Sequence, residues 1–150
     1  MMNIDEIFTE WDKDSKIDRT ELGKESLEIP KLHNKYYRIY INEKMRLIKQ
    51  ESNLKQLLAL RHDFYSGNID NETLKELGWW DEWEKIGRRT ILKTEIPRYL
   101  ESDQLIIDQQ LKIATQKEKV GLLDSIIKSL VSRGFNIKAA IEFAKFQSGA

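Results

Sequence analysis

From Lys31 to Tyr65 the chain contains neither glycine nor proline, and that run leaves few structures open. Apolar residues recur through it at Leu32, Tyr36, Ile39/Tyr40 and Leu47, and again at Ile41, Met45 and Ile48. These spacings of three and four predict a helix with a buried side. At 1.5 Å of rise per residue it is a rod of roughly 50 Å. The Ser66-Gly67-Asn68 break ends it, with Gly67 placed as the residue after the last helical turn.

The flanking segments also read as helices. Ile4, Ile7, Phe8 and Trp11 predict a short amphipathic helix over residues 3–13. Asp18 followed by Glu21 suggests a capped helix over 19–28, and Pro30 suits the first turn of the next one. A helical turn is expected at 71–77, ending at Gly78, then a helix over 82–95 capped by Asp81 and stopped by Pro97. A second long helix should run from Ser102 to Ser132. Gly134 and Asn136 read as its stop and the start of a last helix, Ile137 to Phe146. Two prolines and a third of residues charged fit an all-α protein of elongated helices and helical hairpins. Three stretches are expected within one compact unit: an acidic head and basic helix over 1–66, a connector with a tryptophan-bearing helix over 67–101, and C-terminal assembly helices over 102–150.

Charge is sorted along the chain although 25 basic and 25 acidic residues leave no net charge. Residues 1–30 carry nine acids and four bases, a balance of −5, whereas residues 31–61 carry eight bases and two acids, a balance of +6. On a helical projection Lys31, Lys35, Arg38, Arg46 and Lys49 fall within an arc of roughly 80°. Lys55 and Arg61 continue the basic run toward the turn, and Tyr36, Tyr37 and Tyr40 lie close enough to offer stacking surfaces. A single such stripe is more often a solvated helix face. Scarcity of acids and interleaved tyrosines favour binding of a nucleic-acid backbone, with stacking on single-stranded bases.

Catalysis finds no support. His33 and His62 stand in no triad or metal-ligand spacing, and no phosphate loop, zinc motif or calcium loop is present. No catalytic residue, metal or cofactor is expected. The lack of cysteine suits a reducing cytoplasm, and the N-terminal segment and hydropathy suggest a soluble, unexported protein. Trp79, Trp80 and Trp83 read as a hydrophobic plug or subunit contact, each burying about 200 Å². In the C-terminal region Leu123, Ile127, Leu130, Phe135, Ile137, Ile141 and Phe143 form apolar stripes suited to a core or an oligomer seam.

Two segments bring a family into view: Leu57-Leu58-Ala59-Leu60-Arg61-His62-Asp63-Phe64-Tyr65-Ser66-Gly67 and Ser132-Arg133-Gly134-Phe135-Asn136-Ile137-Lys138. Here the chain resembles the UvsY family, the recombination mediators of T-even-like phages. Ile17-Asp18-x-Thr20-x-Leu22-x-x-Glu25 and Asp103-x-Leu105-x-x-Asp108-x-x-Leu111 are weaker echoes, and the four pieces cover most of the chain in the family's order. The resemblance implies a small helical protein that assembles into a ring of about six or seven subunits through its C-terminal region. It implies binding of single-stranded DNA, with help in loading the phage recombinase onto strands covered by single-strand-binding protein, in the cytoplasm of the infected bacterial host. The family's binding pair is a lysine and an arginine two residues apart. The arginine falls on Arg61, but Ala59 occupies the lysine position. Lys55, one helical turn away, then becomes the compensating cation together with the Lys35 to Lys49 stripe. The tryptophan cluster has no counterpart in the family pattern and inherits no role.

The reading is thus a non-catalytic recombination mediator, with single-stranded DNA, a recombinase, a single-strand-binding protein and further copies of itself as partners, and no membrane. One rival is a helical scaffold whose basic face binds an acidic protein, or its own N-terminal segment. A second is an accessory factor on duplex DNA, disfavoured because no compact helix-turn-helix is apparent.

Overall fold

A computed structural model describes residues 2–149, and among them all regular structure is helical. The order is α1 (Ile4–Asp14), α2 (Leu22–Tyr65), α3 (Asn71–Leu77), α4 (Trp80–Lys85), α5 (Ile96–Glu101) and α6 (Gln104–Gln147). The chain divides into two compact units. The first runs to Leu47 and resumes at Thr115; the second is Ile48–Ala114. Each takes part of α2 and part of α6.

α1 begins with a reciprocal cap. The Asn3 side chain accepts from the Glu6 amide at 2.8 Å, and the Asn3 amide donates to the Glu6 carboxylate at 3.0 Å. The two helices expected over 19–28 and from Lys31 are one, α2, and it begins at Leu22 and not at residue 19, because Asp18 accepts from both the amide and the hydroxyl of Thr20 (2.9 and 2.6 Å) and forms a turn instead of a cap. Pro30 does not start a new helix; it lies within α2, exposed, and removes a single main-chain hydrogen bond. Gly134 likewise does not stop α6, which continues to Gln147.

In the first unit Ile7, Tyr36, Leu123, Ile126 and Leu130 form the core, with Trp11, Leu32 and Tyr40 packed around it. α2 and α6 run antiparallel here on a seven-residue repeat, with Ile29, Tyr36 and Glu43 facing inward on one and Gln116, Leu123, Leu130 and Ile137 on the other. Glu43 and Gln116 make a polar layer inside this seam. The Gln116 amide nitrogen donates to the Glu43 carbonyl at 2.8 Å and to its carboxylate at 2.7 Å, and Lys119 reaches the same carboxylate at 3.3 Å. Sliding the helices by a turn would leave a buried carboxylate unpaired, so this layer fixes the register. α1 lies on the same core. Arg133, 6% exposed, stacks over the Trp11 ring and donates to the carbonyls of Asp14 and Ser15, both at 3.0 Å, closing the C-terminal end of α1.

In the second unit Phe64, Tyr65, Leu74 and Ile96 are buried, with Trp79, Trp80 and Trp83 packed on them. Phe64 meets Trp79 and Trp83 edge-on at 5.8 and 5.9 Å between ring centres. The tryptophans therefore serve as an internal plug. α3 is capped at its start by Asp70 and at its end by left-handed Gly78. The expected helix over 82–95 is shorter: α4 ends at Lys85, Gly87 and Arg88 turn the chain with positive φ, and α5 follows with Pro97 in its first turn. The residues between return to the motif turn, where the Ile91 amide donates to the Tyr65 carbonyl at 2.9 Å.

Gly67 sits in this turn at φ +72°, and a Cβ there would collide with the Thr90 methyl. Gly67→Ala is expected to destabilise the second unit by roughly 1–3 kcal/mol, through left-handed strain and the displaced loop. Denaturant unfolding followed by tryptophan emission checks this; an unchanged midpoint would refute it.

Candidate nucleic-acid interface

A cation can bind a phosphate backbone only if its charge reaches solvent, so burial sorts the predicted residues. On the first unit's part of α2 the predicted Lys31, Arg38 and Arg46 are exposed, as is Lys44, which the sequence reading did not single out; on the second unit's part Lys49 and Lys55 are exposed. From Ile29 to Gln50 the sole acid is Glu43, which is 3% exposed and committed to Gln116 and Lys119. The carboxylate of this stretch is thus buried. Arg46 lies 4.0 Å from Glu43 at its Nε, while its side chain remains 45% exposed.

Lys35 belongs to a different arrangement. Its ammonium donates to Glu10 at 2.9 Å and to Asp14 at 2.6 Å on α1, so it fastens the acidic head to the basic helix. Tyr36 is fully buried and donates to the same Asp14 carboxylate at 2.7 Å. Burial opposes the charge on Asp14, but bonds from Lys35 and Tyr36 outweigh it and hold the carboxyl below the usual range. Burial and that same hydrogen bond push the Tyr36 phenol well above its ordinary value. A tyrosine so placed packs the core and offers no ring face to a base.

The exposed aromatic surface lies one residue further on. Tyr37, 47% exposed, stacks between His33 (5.7 Å, 12° between planes) and the half-buried Tyr40 (6.1 Å, 27°). These rings form a ladder on the side of α2 that also carries Lys44. Sequence reasoning named the tyrosines but missed His33, although the separations of four and three residues that build the ladder are present in the sequence.

Arg61, the motif arginine, does not face solvent: it is 1% exposed. Its Nε donates to Asp103 at 2.5 Å, and its two terminal nitrogens donate to Glu82 at 3.1 and 2.6 Å. The guanidinium also lies 4.4 Å from the centre of the Phe64 ring and 4.7 Å from that of Trp79. Burial works against its charge, but the bonds to Glu82 and Asp103 prevail and raise its pKa beyond the ordinary arginine range. Asp103 has further duties. One of its oxygens accepts from the Leu105 and Ile106 amides at 3.0 and 3.4 Å at the start of α6; the other accepts the Tyr65 hydroxyl at 2.7 Å. Burial and the Asp103 bond push the Tyr65 phenol up to about 12. Sequence reasoning set Arg61 on the surface because nothing local says which way an arginine beside a turn points.

The predicted assembly residues also divide. Leu123, Leu130 and Ile137 are buried inside the first unit and Ile127 and Ile141 are half-buried. Phe135 is 72% exposed and Phe143 60%, and Phe146 adds a third open ring at 78%. Among the described residues there is no cluster of side chains fit to hold a metal, and no helix is long and apolar enough to cross a membrane.

Removing Arg61 should leave Asp103 buried without its cation. Arg61→Ala is expected to cost roughly 3–5 kcal/mol of unfolding free energy. Arg61→Lys recovers only part of it, because one ammonium cannot reproduce the forked geometry. If equilibrium unfolding shows both variants as stable as the parent, the internal role is refuted.

Comparisons with known proteins place the chain in a family and match its fold. The family model described as the recombination, repair and ssDNA binding protein UvsY matches residues 10–150. The recombination protein uvsY of Enterobacteria phage T4 is 26% identical over 152 residues, covering 99% of each chain. Crystal structures of the bacteriophage T4 recombination mediator protein UvsY superpose with TM-scores of 0.79 (lattice type II) and 0.76 (lattice type IV). Both are at 21% identity, covering 99% and 97% of this chain and 99% of theirs. At that identity the superposition establishes the fold.

Proposed function

Because the chain belongs to the UvsY family of recombination, repair and single-stranded DNA binding proteins, we propose that it binds single strands along the outer face of α2. There it acts as a non-catalytic mediator, helping to load a recombinase onto strands covered by single-strand-binding protein in the cytoplasm of the infected host. The carrying observation is the exposure of cations along α2: Lys31, Arg38 and Arg46 on one side and Lys44 beside the Tyr37 ladder reach solvent, while Glu43, the only acid from Ile29 to Gln50, is turned inward. Lys49 and Lys55 supply further exposed cations on the second unit. The Tyr37 ladder offers stacking beside them, worth about 1–3 kcal/mol per base. Arg61 supports the binding unit from within, and Lys35 is held by α1; neither reaches the strand.

A patch of this size on one protomer binds weakly at physiological salt, so the function requires copies. We place the assembly contact on the open rings of the last turns of α6, Phe135, Phe143 and Phe146, and take the assembly to be a ring of six or seven. An exposed three-ring apolar surface is unfavourable in water and becomes stabilising once covered by a partner. A strand held on one subunit then meets the next at high effective concentration, which converts several weak contacts into a tight one.

Two outcomes test this. The variant Lys31→Gln/Arg38→Gln/Lys44→Gln should bind oligo-dT more weakly and lose about 2 from the slope of log K against log salt, at about 0.7 per phosphate contact. An unaltered slope would remove α2 from the interface. Phe143→Ser/Phe146→Ser should lower the mass seen by light scattering while helicity persists; an unchanged mass would put the assembly contact elsewhere.

A further inference from the structure

The second unit carries a further set of cations that the α2 face does not include. Residues 85–94, Lys-Ile-Gly-Arg-Arg-Thr-Ile-Leu-Lys-Thr, hold four basic side chains and no acid. Lys85, Arg88, Arg89 and Lys93 are all exposed, as are Thr90 and Thr94. We propose that this loop is a second contact for a nucleic-acid backbone; the inference rests on the single-strand-binding reading above and adds a site to it.

The loop is built in a defined shape. The Arg88 amide donates to the Trp83 carbonyl at 3.1 Å, and the Ile91 amide donates to the Tyr65 carbonyl at 2.9 Å. The Thr90 methyl rests against Gly67, so the motif turn and the loop fit each other. Arg88 holds φ +53°, a left-handed conformation that side chains other than glycine, asparagine and aspartate rarely adopt. Among the described residues it is the one non-glycine with positive φ. Such a residue is kept only where the surroundings over-determine it, and such residues concentrate at functional sites. A loop already ordered loses less conformational freedom on binding than a free one.

Its charges are also grouped. The Arg88 guanidinium lies 5.2 Å from the centre of the Trp80 ring, and the Lys75 ammonium 4.8 Å from the same ring. One indole thus gathers two cations. The carboxylate beside them is Glu84, 2.9 Å from Arg88, in a pair whose side chains are 61% and 44% exposed. An exposed pair of that kind contributes little and exchanges readily for a phosphate, which the guanidinium binds through two parallel hydrogen bonds. Forked donors beside threonine hydroxyls, with no acid in the loop itself, match the contacts made to phosphate and sugar, which position a strand without reading its sequence.

The test compares two variants of the full chain with the parent by fluorescence anisotropy of labelled oligo-dT across a salt titration. Arg88→Asn/Arg89→Gln/Lys93→Gln removes three cations, with asparagine at 88 because it tolerates the left-handed backbone. Arg88→Lys/Arg89→Lys keeps the charge. The first should bind roughly tenfold more weakly near physiological salt and lose about 2 from the salt slope. The second should stay within about threefold of the parent, and circular dichroism should show equal helicity in all three. Parental affinity and slope in the triple variant would overturn the inference while leaving α2 binding intact. A parent that ignores oligo-dT would instead remove the single-strand reading and this site with it. Triple-variant loss of polyglutamate binding with oligo-dT binding kept would assign the loop to an acidic protein and overturn the proposal.

Discussion

A buried guanidinium between two carboxylates organises the second unit. Arg61 reaches from the last turns of α2 to Glu82 on α4 and to Asp103 at the start of α6, so a single side chain ties three segments together. Bringing that charge out of water is costly, and the cost is recovered only when both carboxylates and the aromatic rings of Phe64 and Trp79 are in place. Asp103 makes the dependence mutual, because the carboxylate that binds Arg61 also caps α6 and accepts the Tyr65 hydroxyl. Removing one member leaves the others unsatisfied, which gives the cluster its leverage over helix ends that are far apart in sequence.

Arg133 plays a related part in the first unit. It closes the end of α1 through two carbonyls and covers the Trp11 ring. The two segments that carry the family resemblance each contain one arginine, and in both cases that arginine is internal. The resemblance therefore marks the joints of the fold as much as the surface that meets a ligand. The cations that face water lie instead along α2 and in the loop of residues 85–94.

Most of the helical stretches were legible in the sequence, because local signals specify them, although α5 was missed. The absence of breakers gave α2, the Asp70–Gly78 pair gave α3 its two ends, and apolar spacing gave α1 and α6. Boundaries failed where a local signal met a tertiary contact. Gly134 and Asn136 read as a stop, yet α6 continues, with Arg133 and Ile137 buried on either side of them against the rest of the first unit. Pro30 read as a beginning, yet α2 runs through it, giving up one main-chain hydrogen bond and accommodating the proline ring against the preceding turn.

What the sequence by itself determined was the run of helices and the separation of an acidic head from a basic stretch, since periodicity and charge order are properties of neighbours along the chain. Only the tertiary structure decided which of the cations face water. Lys31 and Arg38 stay outside, Lys35 is drawn to Glu10 and Asp14, and Arg61 turns inward. The reason is physical: the direction a charged side chain takes depends on whether a carboxylate from a distant segment is waiting within hydrogen-bond reach, and no spacing along one helix records that.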